Sequence, residues 1–296
     1  MKLNNITISS IRSGKGDCIH LNYNGCNLII DSGTTSSSGE FRNLCNRILN
    51  KGESLDALVI THYDEDHVGG IIKTKDLGFH DVYFNAYDGR VENGNLSSSQ
   101  IQRLFHLLPS AKVHSKVIAG DVFEIGGAKL IIHSPTVEAL SKAKEQMKKA
   151  DEQLSFVSDR NYSFDELMDK TYQSKDSSFS NQASIVFTFE FEDNKILFTG
   201  DTWSEYIPSG KFDLVKLPHH GSIKNISDEM INKLDCSSFL ICADGTKHPN
   251  KQTLAKLLKF KENVNIYSNY EWWMNGFMKT EDYKYLNNKK LNFYLI

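Results

Sequence analysis

The 296-residue sequence predicts an α/β (α+β) protein in which two mixed β-sheets pack together with helices outside. Short apolar strands recur in an N-terminal half and again in a C-terminal half, and a charged, glycine-free segment separates the halves. Helical patterns alternate with strands in both halves, as in layered domains that contain both elements. Because 40% of the residues are hydrophobic, the chain can bury one large core, and we expect a single domain spanning residues 1–296.

The N-terminal half contains short strand patterns that end at turn residues. Asn24-Gly25 is a typical hairpin turn, and a polar loop at residues 32–39 precedes a helical pattern at residues 41–49. A second helix is expected at residues 100–108, where Pro109 ends it. The strands expected in this half are residues 3–9, 17–23, 27–31, 55–60, 82–85, 117–119 and 129–133.

Residues 136–176 interrupt the strand pattern. The segment contains helix-forming residues and no glycine, and it is longer than an ordinary connection. We therefore expect an inserted helical cap that gates substrate access or mediates self-association and carries no catalytic residue. Strands then resume at residues 184–191, 195–199, 212–217, 238–243 and 265–267, with helices at residues 226–234 and 253–260.

Composition narrows the class of protein. The formal net charge of −3 argues against nucleic-acid binding driven by overall charge, although a local basic groove stays open. No apolar run has the length of a signal peptide or a membrane span, so we expect no membrane partner. The five cysteines are odd in number and form no CxxC pair, which indicates reduced, mostly buried thiols in a cytoplasmic protein.

The strongest chemical signal is the run THYDEDHVGG at residues 61–70, which follows the apolar strand LDALVI. It places His62, Asp64, Asp66 and His67 in what we interpret as a tight turn at the end of a strand. Imidazole and carboxylate groups are ligands that Zn²⁺, Mn²⁺ and Fe²⁺ accept. A solvated acidic loop rarely holds four such groups within six positions, so the run predicts a metal site.

Three weaker signals also lie at strand ends. Asp201 follows the strand in KILFTGD, although a strand followed by Gly-Asp is also an ordinary turn. His219 and His220 follow a strand in LPHHGS; adjacent side chains of an extended chain diverge, so one could bind metal while the other faces substrate. His248 follows the strand in SSFLICADG. Each of the four signals lies at the end of an apolar strand. This shared position predicts a functional site more strongly than any one signal does alone.

Taken together, these motifs resemble the metallo-β-lactamase superfamily. The resemblance rests on NLIIDS at residues 27–32, the HxDxDHVGG run, FTGD, LPHHGS and the late His-Pro pair. More narrowly, GKGDC at residues 14–18 and Asn181 ahead of the FTGD strand are similar to the soluble hydrolase domain of bacterial DNA-uptake channel proteins. The resemblance covers the chain except residues 136–176. It implies an αββα sandwich with its site at the open edge between the two sheets.

The resemblance also implies a two-metal site, with Zn²⁺ or Mn²⁺ as the ions. In the HxDxDH run Asp64 replaces the usual second histidine, which makes the site more anionic and admits Mn²⁺ beside Zn²⁺. The usual Gly-His motif before the FTGD strand is absent, so Asn181 or a histidine of the HHG run would fill its place. The expected ligands are His62, Asp64 and one histidine of the HHG run, preferably His220, for one ion; Asp66, His67 and His248 for the other; and Asp201 as the bridge.

The remaining roles follow from the same resemblance. Asp31 would orient the ligands through hydrogen bonds, and Asp66 would also orient the attacking hydroxide that the two metals generate. His219 would act as a general acid or as a donor to a phosphoryl oxygen. Lys216, Lys224 and Lys247 near the motifs would add positive charge.

This chemistry fits several reactions. The resemblance favours a phosphodiesterase or nuclease whose substrate is a phosphoester in nucleic acid or a nucleotide. A small-molecule hydrolase of the lactonase or phosphocholine-esterase type would use the same metals, with residues 136–176 as a lid. A third hypothesis is that the protein is a metal-binding, non-enzymatic component of a larger complex. A homodimer also stays open, and the sequence identifies no partner protein.

Overall fold

The computed structural model describes residues 1–74, 77–85, 108–146, 158–172 and 175–296. In this part of the chain two mixed sheets stack face to face. The first sheet has seven strands whose spatial order is their chain order: β1 (Lys2–Leu3), β2 (Ile6–Ser10), β3 (Ile19–Tyr23), β4 (Cys26–Ile30), β5 (Ala57–Val59), β6 (Asp81–Tyr83) and β7 (Lys112–His114). The first four pair antiparallel, and β4 to β7 pair in parallel.

The second sheet has eight strands in the described residues, in the order β17-β16-β15-β13-β11-β10-β9-β8. Strands β8 to β11 pair antiparallel, whereas the strands from β11 to β17 pair in parallel. Strands β12 and β14 form a separate short pair. The bounds are β8 (Val122–Ile125), β9 (Ala128–Ser134), β10 (Val186–Phe191), β11 (Asn194–Phe198), β12 (Gly210–Lys211), β13 (Leu214–Lys216), β14 (Leu234–Asp235), β15 (Ser238–Ile241), β16 (Val264–Ser268) and β17 (Leu291–Leu295).

Helices cover the outer faces of both sheets. The helices are α1 (Ser38–Leu49), α2 (Glu65–Lys73), α3 (Val137–Gln146), α4 (Phe164–Met168), α5 (Phe179–Gln182), α6 (Asp228–Lys233), α7 (Lys251–Phe260) and α8 (Tyr283–Asn287). Side chains of β4 show the layering: Leu28 and Ile30 pack against the other sheet, whereas Ile29 packs with Phe41 of α1. On the opposite side, Leu254 of α7 packs on the second sheet. The expected αββα sandwich is therefore confirmed.

Several elements differ from the sequence-based expectation. Residues 117–119 are not a strand, because the side-chain amide of Asn85 binds both the N–H and the C=O of Val117 at 2.7 and 2.8 Å. Strands β7 and β8 lie on either side of this segment. The C-terminal helix α8 and strand β17 were not expected, and the helix expected at residues 100–108 lies outside the described residues except Leu108.

The metal motif forms a helix rather than the expected tight turn. Asp64 precedes α2, so the next residues of the motif occupy its first turn. Glycine inside a helix is unfavourable, yet here it permits close packing. A Cβ on Gly70 would lie 2.1 Å from the Ser32 carbonyl oxygen, and one on Gly69 would lie 2.2 Å from the Thr35 nitrogen. The glycines therefore let α2 rest on the loop after β4.

The inserted segment is partly core rather than the surface cap that the sequence suggested. Its second described part contains Phe164 and Leu167, both 0% exposed and packed in the core cluster that includes Leu254. Asp159 accepts hydrogen bonds from the backbone nitrogens of Lys251 and Gln252 at 3.0 and 2.9 Å, which caps the start of α7. These contacts tie residues 158–172 to the second sheet.

The cysteines and the helix lengths are two further features of the described residues. All five cysteines are unpaired and buried, as expected. In the described ranges, no helix combines the length and the apolar character needed to cross a bilayer.

Candidate metal centre

The candidate ligands follow parallel strands of both sheets at one edge of the sandwich. His62 follows β5 in the first sheet, and Asp201 and His220 follow β11 and β13 in the second. Asp66 and His67 come from the first turn of α2, which begins just after β5. Because the carboxyl ends of these strands meet at the same edge, the fold gathers side chains that are up to 158 positions apart in the sequence.

The side chains converge closely. Asp201 Oδ2 lies 3.4 Å from His67 Nε2 and 3.3 Å from His220 Nε2, and Asp66 Oδ2 lies 3.7 Å from the same His220 nitrogen. One possible ligand group contains His62, His67 and Asp201, and another contains Asp66, His67 and His220. Within each group the ligand atoms lie within 4.8 Å of one another.

The donor set fits divalent metal ions. The Nε2 atoms of His62, His67 and His220 are buried and make no hydrogen bond within the described residues. Buried polar atoms normally form hydrogen bonds, so three buried nitrogens without one, beside carboxylates, fit a bound divalent cation. Ligand atoms about 2.1 Å from a tetrahedral ion lie about 3.4 Å from each other, which is close to the spacing observed here. His62, His67, His220, Asp66 and Asp201 would hold the ions.

Asp31 fixes two of these histidines. Its Oδ2 accepts hydrogen bonds from His67 Nδ1 at 2.8 Å and from the Thr61 hydroxyl at 2.7 Å, and its Oδ1 accepts one from the Thr61 backbone nitrogen at 2.7 Å. The Thr61 oxygen in turn lies 3.1 Å from His62 Nδ1. With both Nδ1 atoms facing acceptors, the Nε2 lone pairs face the cluster. Asp31 therefore lies behind the candidate ligand His67.

Asp17 orients His220 as Asp31 orients His67, although the sequence did not predict a role for Asp17 in the site. His220 Nδ1 lies 3.1 Å from Asp17 Oδ1 and 2.9 Å from the Cys242 carbonyl oxygen, so it donates and leaves Nε2 free. A Cβ on Gly16 would lie 1.8 Å from the Asp66 carbonyl oxygen. Only glycine lets this loop approach the metal motif so closely. The GKGD run at residues 14–17 is the sequence signal that could have identified Asp17.

Lys216 is not available to a substrate, contrary to the expectation for charge near the motifs. It is 1% exposed, and its ammonium group binds Asp17 Oδ2. It also donates to the Gly200 carbonyl oxygen at 2.9 Å and lies 3.5 Å from Asp201 Oδ1. Lys216 is therefore part of the buried frame of the site.

Asp64 lies beside His62, whereas Asn181 lies beside Asp176 and His219. Asp64 Oδ2 is 3.7 Å from His62 Nε2, and Asp64 Oδ1 accepts a hydrogen bond from Ser180 at 2.8 Å. Asn181 donates through Nδ2 to Asp176 at 2.8 Å, and its buried Oδ1 makes no hydrogen bond in the part of the chain that the structure describes. Asp64 is therefore close enough to His62 to share a cation with it, whereas the contacts of Asn181 are on the His219 side.

His219 bridges the cluster and the end of the inserted segment. Its Nε2 lies 3.9 Å from Asp201 Oδ2, while its Nδ1 lies 3.0 Å from Asn225 Oδ1 and 3.3 Å from Asp176 Oδ2. The segment thus contributes Asp176, which contacts His219; the expectation that the segment carries no catalytic residue stays a prediction. The sequence did not predict a role for Asp176, because it lies in a charged segment without a recognisable motif.

His248 lies farther out. Its ring centre is 5.1 Å from that of His219 and 6.4 Å from that of His220, and it belongs to neither of the two ligand groups described above. With Asp66 and both of these histidines it lines a cavity of about 150 Å³, which Lys15 and Lys247 also line. The cavity opens over the cluster.

The grouping differs from the expected ligand assignment. His220 clusters with Asp66 and His67, whereas the resemblance implied that it joins His62 and Asp64. His67 belongs to both groups, and Asp201 lies between them. The structure therefore brings the expected residues to one edge of the sandwich, with His248 at the rim, and the assignment of ligands to each ion stays a prediction.

The carboxylates shape the electrostatics of the site. Burial would lower the pKa values of His67 and His220, but Asp201 outweighs it, aided by Asp31 for His67 and by Asp17 for His220, and both pKa values are raised well above the usual range. Burial would raise the pKa of Asp17, yet Lys216 and His220 hold it at about 2. Without a metal, the histidines would therefore carry protons where the cations would otherwise lie.

The pKa of His248 moves in the opposite direction. Burial lowers it to about 3, with a further contribution from the positive charge of His219 and His220. His248 is thus a neutral imidazole at physiological pH. A neutral imidazole is the form that binds a metal ion or accepts a hydrogen bond from a substrate.

The fold and the site define a class of αββα proteins with candidate metal-binding residues at one edge of the sandwich. The profile of the metallo-beta-lactamase superfamily matches residues 13–168, more than half of the chain. The chain belongs to this superfamily, whose members are generally hydrolases.

Solved structures of low sequence identity are similar. The metallo-beta-lactamase fold protein YhfI from Bacillus subtilis is 12% identical over 98% of this chain and 96% of that chain, with a TM-score of 0.48. Zn²⁺-bound PqqB from Methylobacterium extorquens is 10% identical over 95% and 85%, with a TM-score of 0.47. A diphosphatase of the PhnP family is 15% identical over 88% and 84%, with a TM-score of 0.40. No curated protein sequence gives a significant match.

Proposed function

We propose that the protein is a metal-dependent phosphodiesterase that acts on nucleic acid or a nucleotide and uses two divalent cations, Zn²⁺ or Mn²⁺. The observation that carries the proposal is the set of buried Nε2 atoms of His62, His67 and His220, which form no hydrogen bond in the described residues and surround the carboxylates of Asp66 and Asp201. Two bound cations would supply a nucleophilic hydroxide at neutral pH and Lewis-acid polarisation of the scissile group.

The cavity over the cluster supports an anionic substrate. Lys15 and Lys247 are exposed and line this cavity. Asp66 and Asp244 line it too; Asp244 Oδ1 is held by the Thr246 backbone nitrogen and hydroxyl at 2.8 and 2.7 Å, and Asp66 faces the candidate metal ligands. The two lysines therefore give the mouth an attraction for phosphoryl oxygens that a neutral lactone or lactam would not use.

The protein residues around the cluster have distinct tasks in this proposal. Asp66 orients the attacking hydroxide, and His219 donates a proton or a hydrogen bond to the leaving oxygen. Asp176 and Asn225 hold the Nδ1 side of His219, which turns its Nε2 towards the cluster. The ring is therefore held in place before a substrate arrives.

A second cleft adjoins this arrangement and suits the rest of a nucleotide. Its volume is about 520 Å³, and Asp176 is shared between its lining and the contacts of His219. Trp203 and Tyr172 provide aromatic surface there, and Lys224 provides a cation. Aromatic rings and a cation are groups that bind a nucleobase and a phosphate. These features support a nucleotide-like leaving group.

The resemblance to the soluble hydrolase domain of bacterial DNA-uptake channel proteins gives the proposal its nucleic-acid substrate class. The motifs that carry it are GKGDC, the HxDxDH run and LPHHGS. We also propose a cytoplasmic location, for which the five unpaired cysteines are the supporting observation.

The proposal is tested with a substrate panel: bis-p-nitrophenyl phosphate, single-stranded DNA and a lactone, each assayed with added Mn²⁺ or Zn²⁺. We expect hydrolysis of the phosphodiesters. Lys15→Gln and Lys247→Gln should each lower kcat/KM for the phosphodiester about tenfold, the effect of one lost charge-assisted contact of about 1.4 kcal/mol. Lys129→Gln, an exposed lysine on β9, is the control. Turnover of the lactone alone would show that the substrate class is wrong.

A further inference from the structure

We propose that Lys216 is a positioning residue of the metal centre: it fixes Asp17 and Asp201, and through them it sets the orientation of the His220 ring and of the central carboxylate. The inference rests on the metal centre of the proposed function, but it concerns residues of this chain that no substrate touches. It replaces the role in phosphate binding that the sequence suggested for this lysine.

The contacts of the Lys216 ammonium group use its full donor capacity. An ammonium group has three N–H donors. Lys216 directs them to Asp17 Oδ2, to the Gly200 carbonyl oxygen at 2.9 Å and towards Asp201 Oδ1 at 3.5 Å. Because Lys216 is only 1% exposed, water does not compete for these donors. The ammonium group therefore joins the loop before β3 to the loop after β11.

The first consequence concerns His220. Lys216 holds Asp17 Oδ2, which leaves Asp17 Oδ1 to accept the hydrogen bond from His220 Nδ1 at 3.1 Å. The Cys242 carbonyl oxygen accepts from the same nitrogen at 2.9 Å. The proton of the neutral ring is thus placed on Nδ1, and the Nε2 lone pair faces the cluster. If Lys216 were removed, the Asp17 carboxylate would lose the partner that fixes its rotation.

The second consequence concerns Asp201. Its Oδ1 faces Lys216, whereas its Oδ2 faces the candidate ligands, at 3.4 Å from His67 Nε2 and 3.3 Å from His220 Nε2. One carboxylate oxygen of Asp201 therefore contacts Lys216, and the other faces the candidate metal ligands. Lys216 also places one permanent positive charge between two buried carboxylates, which would otherwise repel each other.

The chain offers a matched control in Lys251. This second buried lysine is 0% exposed and pairs with the buried Asp282 at 2.5 Å. Its ammonium group lies over the Phe164 ring, 5.1 Å from the ring centre. Replacing it with Met removes a buried cation of the same kind from a different part of the core. Lys251→Met thus reports the general cost of losing a buried lysine.

The experiment compares Lys216→Met, Lys251→Met and Asp17→Asn with the full-length wild type. Affinity for Zn²⁺ is measured by competition with a chromophoric chelator, and the His220 Nδ1–H proton is followed by NMR with and without Zn²⁺. We expect Lys216→Met to weaken Zn²⁺ binding about 10- to 100-fold, the range for groups that orient metal ligands. Its His220 Nδ1–H signal should be lost to fast exchange. Lys251→Met should keep both properties even where it unfolds more easily.

Asp17→Asn keeps the inference testable if Lys216→Met does not fold. It should weaken Zn²⁺ binding in the same range, and the double variant should show less than the sum of the single effects because Lys216 acts through Asp17. Wild-type affinity in Lys216→Met, or equal losses in Lys216→Met and Lys251→Met, would overturn the inference. The NMR signal of the metal-free protein tests the role of Lys216 separately from the proposed phosphodiesterase activity. It reports on the His220 ring even if the wild type hydrolyses no phosphodiester.

Discussion

Replacing Asp31 with Asn perturbs the support of the metal centre while leaving every proposed ligand in place. Asp31 has φ +58°, a backbone conformation that Asn also tolerates, so the change does not add the strain that an alanine would. The buried side chain keeps its size and loses only its charge and one acceptor. The variant therefore isolates the hydrogen bond from His67.

The magnitude follows from three contacts. The Asn oxygen can still accept from the Thr61 backbone nitrogen at the position where Asp31 Oδ1 does so at 2.7 Å. The amide NH₂ then occupies the position of Oδ2, where it faces the Thr61 hydroxyl and His67 Nδ1. The hydroxyl can reverse and accept, but His67 cannot without moving its proton to Nε2. A hydrogen bond to a charged group contributes about 1.5–3 kcal/mol. This corresponds to roughly a 10- to 100-fold loss of metal affinity.

The assay is Zn²⁺ or Mn²⁺ binding in competition with a chelator, at fixed pH. Asp56→Asn is the control, because Asp56 also accepts from a backbone nitrogen (Asn27, 2.7 Å) and a hydroxyl (Ser54, 2.6 Å) and lies 3.7 Å from a histidine (His80). It stands at the start of β5, whereas the metal motif follows the end of this strand. Asp56→Asn should change affinity by less than about twofold. Metal binding by Asp31→Asn that equals wild type would refute the reasoning.

Three further predictions concern activity, pH and stability. Asp66→Ala and His67→Ala should each abolish phosphodiester hydrolysis, and activity within about tenfold of wild type, only ~1.4 kcal/mol in the barrier, would contradict the two-metal proposal. Because the pKa values of His67 and His220 are raised above their usual range, metal binding at neutral pH should release protons, and metal affinity should rise as the pH rises. Calorimetry in two buffers of different ionisation enthalpy measures this release, and identical heats in both buffers would speak against it. Phe164→Ala should lower the free energy of unfolding by about 3–5 kcal/mol, since Phe164 is 0% exposed in the core. Tyr162→Ala, at a neighbouring residue that is 42% exposed, should lower the free energy of unfolding by less than about 0.5 kcal/mol in the same denaturation series. Equal losses of free energy in the two variants would show that the segment is not part of the core.

The apolar strand pattern predicted the layered fold, and the family resemblance implied the edge at which the site lies. Ligands such as His62 and Asp201 were identifiable since each follows an apolar strand directly. Helix α2 was hidden by Gly69 and Gly70, whose unfavourable helix propensity is overridden by the close packing on Ser32. Local propensity could not reveal that tertiary contact.

The supporting residues were harder to predict, because their roles depend on burial and on distant partners. Lys216 looks like a surface lysine beside a motif, and only the structure shows it enclosed with Asp17. Asp176 lies in a charged segment and meets His219, 43 positions later, without any local pattern. The grouping of the candidate ligands likewise depends on side-chain positions that spacing alone leaves open.

The most direct test of the account is the metal content of the purified protein after loading with Zn²⁺ or Mn²⁺ and removal of excess ion. Elemental analysis should find two equivalents per chain, and anomalous scattering from crystals should place them beside His62, His67 and His220. His220→Ala should lower the content, whereas the Lys251→Met control should keep it. Less than one equivalent in the wild-type protein, or ions located away from Asp201, would contradict the proposal that these side chains form a two-metal centre.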